Sequence, residues 1–174
     1  AQAILAADSR AAVPLLVEAG FDEPEEACRA LDRLSGSIDD LTPLPAELVA
    51  DILASGWPER ALRHLERFVE VTGARATLYG RLAQAPPLRD GLVRILASSA
   101  FLTDVLVRNP EHLYWLFEDT PHLVQPLSRT ELRHHLEQAL AGVDDDWIAA
   151  LRRFQRRELL RIGAAEILAC KDVT

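Results

Sequence analysis

The stretch from residue 146 to residue 168, DWIAALRRFQRRELLRIGAAEIL, decides the fold class. It contains no proline and a single glycine, and most of it is alanine, leucine, arginine and glutamate, which are strong helix formers. Its apolar residues recur at helical spacing: Trp147, Ile148, Leu151, Phe154, Leu159, Ile162 and Ile167. We therefore predict a long helix that is opened by Asp144–Asp146 and runs to about Cys170, since acidic residues suit a helix start.

The helical period continues through the rest of the chain. Pro24 and Pro58 stand where helices would begin, and Gly73 stands where one would end. The sequence S-R-T-E at residues 128–131 fits a capping box, and alternating strand-like runs of Val, Ile, Thr and Tyr are missing. We predict an all-α fold, a bundle or array of about nine or ten helices with a long C-terminal helix. Short links between the helices favour mostly antiparallel neighbours.

The net charge of −8 at pH 7 is concentrated near the start of the chain. Residues 1–60 hold twelve acidic residues and four arginines, whereas acids and bases balance in residues 61–174. The stretch SGSIDDLTPLP at residues 35–45 has a linker composition, so we predict an acidic helical region with its linker at 1–45 and a helical domain at 46–174. A net-acidic chain without a basic tail argues against nucleic-acid binding, and no apolar run is long enough to predict a membrane span.

No residue set predicts catalysis or metal binding. The five histidines lack metal-binding spacing, and Asp39 and Asp40 are adjacent in the linker rather than alternating on a strand. We interpret Cys28 and Cys170 as buried thiols of a reducing compartment and predict a cytoplasmic protein. We predict no catalytic, cofactor-binding or metal-binding residue in the chain.

The predicted C-terminal helix joins an apolar face to a run of arginines, which leaves two interpretations. The basic face is either solvated and internally paired, or it docks onto an acidic partner, a neighbouring domain or phosphates. Glu158 lies beside the apolar face and is expected to need an arginine or backbone partner. The candidate interface residues are Trp147, Arg152, Arg153, Phe154, Arg156, Arg157, Glu158 and Arg161.

The same helix carries a family resemblance. Residues 151–168 resemble the segment L-R-R-F-[R/K]-x-R-E-x-L-R-I-x-x-x-D-[I/L]-L of the bacterial glutamine synthetase adenylyltransferases. PERALRHLERF at residues 58–68 is similar to their D-P-x-R-A-L-x-N-L-E-R-F, and residues 96–113 are similar to their L-x-x-S-x-F-L-x-D-x-L-x-R-x-P-E-L-L. The departures are His64 where asparagine is usual, Gln155 within the arginine run, and Glu166 where aspartate is common.

The resemblance implies a bifunctional enzyme that adenylylates and deadenylylates glutamine synthetase in nitrogen regulation. It places this chain in the helical, non-catalytic region that precedes the first nucleotidyltransferase domain, in the adenylyl-removing half. The Gly-Ser and Asp-x-Asp signature of that domain would lie beyond Thr174, so the resemblance implies an inactive segment of a longer chain. For the full-length parent it implies Mg²⁺ and ATP as cofactors. The implied partners are the downstream nucleotidyltransferase domain, glutamine synthetase and its PII regulator.

Two other functional hypotheses remain open. A stand-alone α-helical interaction module would use the basic and apolar C-terminal helix to bind an acidic partner, with binding that is sensitive to salt. A small enzyme with an unrecognised site is the third reading, although no convergent spacing of His, Cys or carboxylate residues favours it. The sequence contains no methionine, which suits a piece of a longer protein or a chain whose first residue was removed.

Overall fold

The computed structural model describes residues 1–6, 9–36, 43–119, 126–142 and 146–169. These parts contain α-helices and one π-helical turn at Trp115–Asp119, and no β-strand occurs among them, so the predicted all-α class is confirmed. The helices are α1 (Gln2–Ala6), α2 (Ser9–Glu18), α3 (Pro24–Ser35), α4 (Ala46–Leu53), α5 (Pro58–Thr72), α6 (Arg75–Gln84), α7 (Pro86–Ser98), α8 (Ala100–Arg108), α9 (His112–Tyr114), α10 (Arg129–Leu140) and α11 (Trp147–Ala169).

Local sequence signals account for several of the helix ends. Pro24 and Pro58 occupy the first positions of α3 and α5, where a missing N–H costs no helical hydrogen bond. Gly73 ends α5 with a φ of +66°, in the left-handed region that favours glycine. The capping box at the start of α10 is confirmed, because Ser128 Oγ accepts from the Glu131 N–H and the Glu131 carboxylate accepts from the Ser128 N–H.

The chain divides into two compact units, residues 1–110 and residues 111–174. The boundary predicted at residue 45 remains a prediction, and α3 and α5, which stand on either side of it, pack against each other. In the first unit α5 is central and packs against α3, α7 and α8. Its core includes fully buried side chains from several helices: Leu16, Leu34, Leu48, Ile52, Leu65, Phe68, Leu78, Tyr79, Leu82, Leu92, Ile95 and Leu96.

The helices α3 and α5 run in the same direction. The Asp22 N–H, just before α3, donates to Glu59 in the first turn of α5, and Arg33 near the end of α3 pairs with Glu66 further along α5. This arrangement is the one expected for alternate helices of an up-and-down array, since α4 stands between them in sequence.

The second unit consists of α9, the π-helical turn, α10 and α11. Leu113 and Leu116 are fully buried, whereas α10 contributes no buried side chain. Helices α10 and α11 pack against each other. The 23-residue α11 confirms the long C-terminal helix, and its predicted opening residues Asp144 and Asp145 lie outside the described residues, as do Asp39, Asp40 and Cys170.

Candidate interaction surface on the long C-terminal helix

Helix α11 has two apolar sides, and only one of them is covered. The covered side consists of Ala150, Phe154, Glu158, Leu160, Arg161 and Ala164, all buried. Four large apolar side chains remain exposed on a different side: Ile148, Leu151, Leu159 and Ile162. We call these four residues the exposed stripe. Trp147, in the first turn, is also exposed but projects in the direction of Phe154 and Glu158.

The exposed stripe follows one side of the helix and is interrupted by Gln155 between Leu151 and Leu159. Ile148, Leu151, Leu159 and Ile162 are separated by three, eight and three residues, which returns each to nearly the same side at 3.6 residues per turn. From Ile148 to Ile162 the helix rises by about 21 Å. Ile148 is 48% exposed and Ile162 is 50% exposed, so both ends of the exposed stripe are open to solvent. Several large apolar side chains exposed on one side of a helix are typical of an interaction site.

A buried ion pair lies on the covered side. The Arg161 Nε donates to a Glu158 carboxylate oxygen at 2.9 Å, and each side chain is only 7% exposed. The prediction that Glu158 needs a partner is therefore confirmed, with Arg161 as that partner. The other Glu158 oxygen has no hydrogen-bond partner among the described residues, although it lies 3.9 Å from the Arg157 Nε.

The Arg157 guanidinium lies against two aromatic rings. Its guanidinium carbon lies 5.0 Å from the Trp115 ring centroid and 5.7 Å from that of Phe154. Both distances are within the range of cation–π attraction. Trp115 belongs to the π-helical turn, a local geometry that the regular helical period of the sequence did not predict.

The predicted interface residues thus divide into two groups. Trp147, Arg152 and Arg153 are exposed, and Arg156 is half-buried. Phe154, Glu158 and Arg161 are buried, and Arg157 is held against the rings of Trp115 and Phe154, so these four support the helix from within the second unit. The sequence places Leu151, Leu159 and Ile162 only on a broad apolar face, because spacing alone does not show which side of a helix is covered by other residues.

Three titratable groups outside α11 have pKa values that are shifted by burial. His64 is buried, and its Nδ1–H donates to the Leu96 carbonyl at 2.7 Å. Burial lowers the pKa of His64, and burial likewise lowers the pKa of His112, whose Nδ1 has no hydrogen-bond partner among the described residues. Burial raises the pKa of the Cys28 thiol, in agreement with its predicted buried position.

Neither a metal centre nor a membrane span is found in the described parts. No group of three or more His, Cys, Asp or Glu side chains among them is arranged to hold a metal ion. None of the described helices is both long and apolar enough to cross a membrane.

Comparison with known proteins finds relatives that share one name. The family described as glutamate-ammonia ligase adenylyltransferase matches residues 90–174, which include α8 and α11. The chain is a relative of the glutamine synthetase adenylyltransferases. The bifunctional glutamine synthetase adenylyltransferase/adenylyl-removing enzyme of Streptomyces avermitilis is 32% identical over 163 residues, which covers 91% of this chain and 15% of that protein.

Two further relatives carry the same name. The enzyme of Nocardia farcinica is 29% identical over 173 residues, covering 94% of this chain and 17% of its own length. That of Streptomyces coelicolor is 26% identical over 161 residues, covering 88% of this chain and 16% of its own length. The chain thus spans less than a fifth of each of these adenylyltransferases. No solved structure matches it.

Proposed function

We propose that this chain is a helical, non-catalytic part of a bifunctional enzyme that adenylylates and deadenylylates glutamine synthetase. The observation that carries the proposal is the relation to named adenylyltransferase/adenylyl-removing enzymes along nearly the whole chain. In this account the chain lies before the first nucleotidyltransferase domain of a cytoplasmic protein. The enzyme's activity resides in parts of the relatives that the chain does not match.

The side chains of the described residues support a structural role. A transfer of adenylyl groups needs Mg²⁺ and ATP, and the metal would be held by clustered carboxylates. The described residues do not fit such a site, since their carboxylates form no group that could hold a metal ion. The buried candidates for acid–base chemistry are bonded within the fold, His64 to the Leu96 carbonyl and Glu158 to Arg161.

We assign the exposed stripe of α11 to contact with the nucleotidyltransferase domain. Four large apolar side chains along about 21 Å of one helix side are costly to leave in water, and a neighbouring domain of the same chain would cover them permanently. Arg152 is exposed at the edge of this stripe, so the same contact can include acidic groups of that domain. Glutamine synthetase and the PII regulator are the partners of the whole enzyme in this account.

A second candidate function is a stand-alone interaction module that binds an acidic protein through α11. The exposure of Arg152 and Arg153 favours it, because neither forms an ion pair among the described residues. This module would bind its partner with strong salt dependence, and an Arg152→Glu/Arg153→Glu variant would lose the binding.

Reading the source gene for roughly one domain's length past Thr174 separates the two candidates. The enzyme account predicts that the reading frame continues into Gly-Ser, followed within a short distance by Asp-x-Asp. A stop codon directly after Thr174 would overturn that account and favour the interaction module.

The assigned role of α11 is tested in the full-length gene product. Leu159→Asp/Ile162→Asp should lower both transfer of AMP to glutamine synthetase and its removal by at least about fivefold, the lower end of typical coupling between sites. Val71→Asp is the matched control, because Val71 is also exposed but lies on α5 in the first unit. Equal activities for wild type and the double variant would contradict the role.

A further inference from the structure

A second surface lies in the first unit, between α3 and α5. Each helix contributes four residues at the spacing of one helix face. They are Glu23, Glu26, Ala27 and Ala30 from α3 and the residue before it, and Glu59, Leu62, Arg63 and Glu66 from α5. We call the open cavity of about 170 Å³ between them the α3–α5 groove.

The α3–α5 groove has an apolar floor because α3 presents alanines where a larger residue would fill the gap. Ala27, Ala30 and Leu62 are all buried and lie beneath the cavity. Known small-molecule sites have volumes of about 300 Å³ and above, so the cavity is too small for a nucleotide. Its size suits one large side chain with an apolar stem.

Four glutamates and one arginine line the α3–α5 groove, and Arg29 and Arg33 pair with two of the glutamates, so the groove keeps a small net negative charge. Glu26 and Glu66 are already committed, because Arg33 bridges them and Arg29 also pairs with Glu26. The hydrogen bonds from Arg33 and Arg29 hold the pKa of Glu26 below its usual value. These contacts brace one end of the groove and keep its two helices in register.

The two remaining glutamates have unused acceptor capacity. Glu59 accepts one long hydrogen bond of 3.3 Å from the Asp22 N–H, and Glu23 has no ion pair among the described residues. Arg63, the lining cation, is exposed and forms no ion pair in the described parts either. Two carboxylates of opposite helices are therefore available beside an apolar floor.

We propose that the α3–α5 groove binds an arginine side chain that projects from a basic segment of a partner protein. The three methylenes of arginine would lie on Ala27, Ala30 and Leu62, and the guanidinium would donate to Glu23 and Glu59. Arginine is favoured over lysine because its planar fork can serve two carboxylates at once. The same complementarity applies to the whole region, since residues 1–60 carry the entire net charge of −8.

This inference goes beyond the proposed function. It concerns a partner of the first unit, whereas the exposed stripe lies on α11 in the second. If α11 does not dock onto another domain, the proposal for the α3–α5 groove is unaffected. If the groove does not bind arginine, the relation to the adenylyltransferases is unaffected.

The test uses a helical peptide of alanine and leucine that carries arginines at every third or fourth position, and a control peptide in which citrulline replaces each arginine. Both are titrated into the isotopically labelled chain to about 1 mM while amide shifts are recorded. We expect shifts at residues 23–30 and 59–66 with the arginine peptide only. Equal shifts with citrulline, shifts confined to other helices, or no shifts would each overturn the proposal.

Two double variants test the assigned carboxylates. Glu23→Gln/Glu59→Gln removes both free charges, and the side-chain amide oxygen introduced at position 59 can still accept from the Asp22 N–H, so the fold is retained. We expect the peptide affinity to fall at least about fivefold. Glu47→Gln/Glu137→Gln removes two exposed glutamates that do not line the groove and should change the affinity less than about twofold. Equal losses of peptide affinity in both variants would mean that the overall charge alone attracts the peptide. That result would overturn the proposed site.

Discussion

At the scale of single residues, buried polar groups of this chain are matched to specific partners. The neutral imidazole of His64 donates through Nδ1 to the Leu96 carbonyl and lies 3.3 Å from the Thr103 hydroxyl. That hydroxyl in turn donates to the Ser99 carbonyl at 2.9 Å. An asparagine Nδ2 occupies nearly the position of a histidine Nδ1, so asparagine could donate the same hydrogen bond at this place.

His64 should make stability depend on pH. Burial lowers its pKa in the folded state, so the unfolded chain takes up the proton first as pH falls below about 6.5. Stability is therefore full above that pH and decreases as pH falls toward the folded-state value. We expect His64→Asn to reduce the difference between urea midpoints measured at about pH 7.5 and pH 5.

His112 provides the control for that measurement. Its pKa is also lowered by burial, so it contributes the same sign and should leave a residual pH dependence in His64→Asn. His112→Asn should remove the residual part. An unchanged pH dependence in His64→Asn would contradict the buried, neutral state of His64.

The Glu158–Arg161 pair predicts a strongly non-additive stability effect. Arg161→Met leaves a buried carboxylate with Arg157 as its nearest cation at 3.9 Å, and should cost about 3 kcal/mol of unfolding free energy. Adding Glu158→Gln removes the charge and should recover more than half of that loss. Chemical denaturation measures the unfolding free energy of each variant. If the losses from Arg161→Met and Glu158→Gln simply add in the double variant, the two side chains do not interact.

At the scale of elements, α10 depends on its cap more than on burial. The helix has no buried side chain, while Ser128 and Glu131 satisfy two backbone N–H groups at its start. Ser128→Ala should destabilise the first turn by about 1 kcal/mol and increase amide exchange there, with little effect on global unfolding. Thr130→Ala in the same exposed turn is the control, and equal exchange in both variants would contradict the capping role.

The positions of several helices can be predicted from local sequence, but the side of α11 that is buried cannot. Prolines, glycines and the capping box act within a few residues, so the starts of α3, α5 and α10 were predictable. Phe154 and Leu159 belong to the same apolar pattern, yet one is buried and the other is exposed. That difference depends on contacts made by distant residues, which helical spacing does not record.

At the scale of the whole molecule, the exposed stripe should make the 174-residue chain associate with itself. Leu159 and Ile162 lie in water on α11, and burial against a second copy would remove that exposure. We expect sedimentation coefficients that rise with concentration for wild type and stay constant for Leu159→Asp/Ile162→Asp. Sedimentation of wild type that does not depend on concentration would contradict self-association through the exposed stripe. As the control, Val71→Asp should sediment as wild type does.

Domain organisation was the least predictable feature at this scale. The linker-like composition at 35–45 suggested a boundary, but α3 still packs against α5 on its far side. The division at residue 110 falls after Asn109-Pro110, a pair that resembles many ordinary helix ends. Composition describes a local chain property, whereas a domain boundary depends on which helices share a core.

The central claim, that α11 is covered within the longer enzyme, is tested most directly by its chemical accessibility. Ile162→Cys is introduced into the 174-residue chain and into the full-length gene product, and the rate of maleimide labelling is measured in both, with Val71→Cys as the exposed control and Cys170→Ser as the background. At a dilution where the 174-residue chain is monomeric, we predict rapid labelling of its position 162 and labelling at least about tenfold slower in the full-length protein, with position 71 equally reactive in both. Equal labelling of position 162 in the two proteins would contradict the claim.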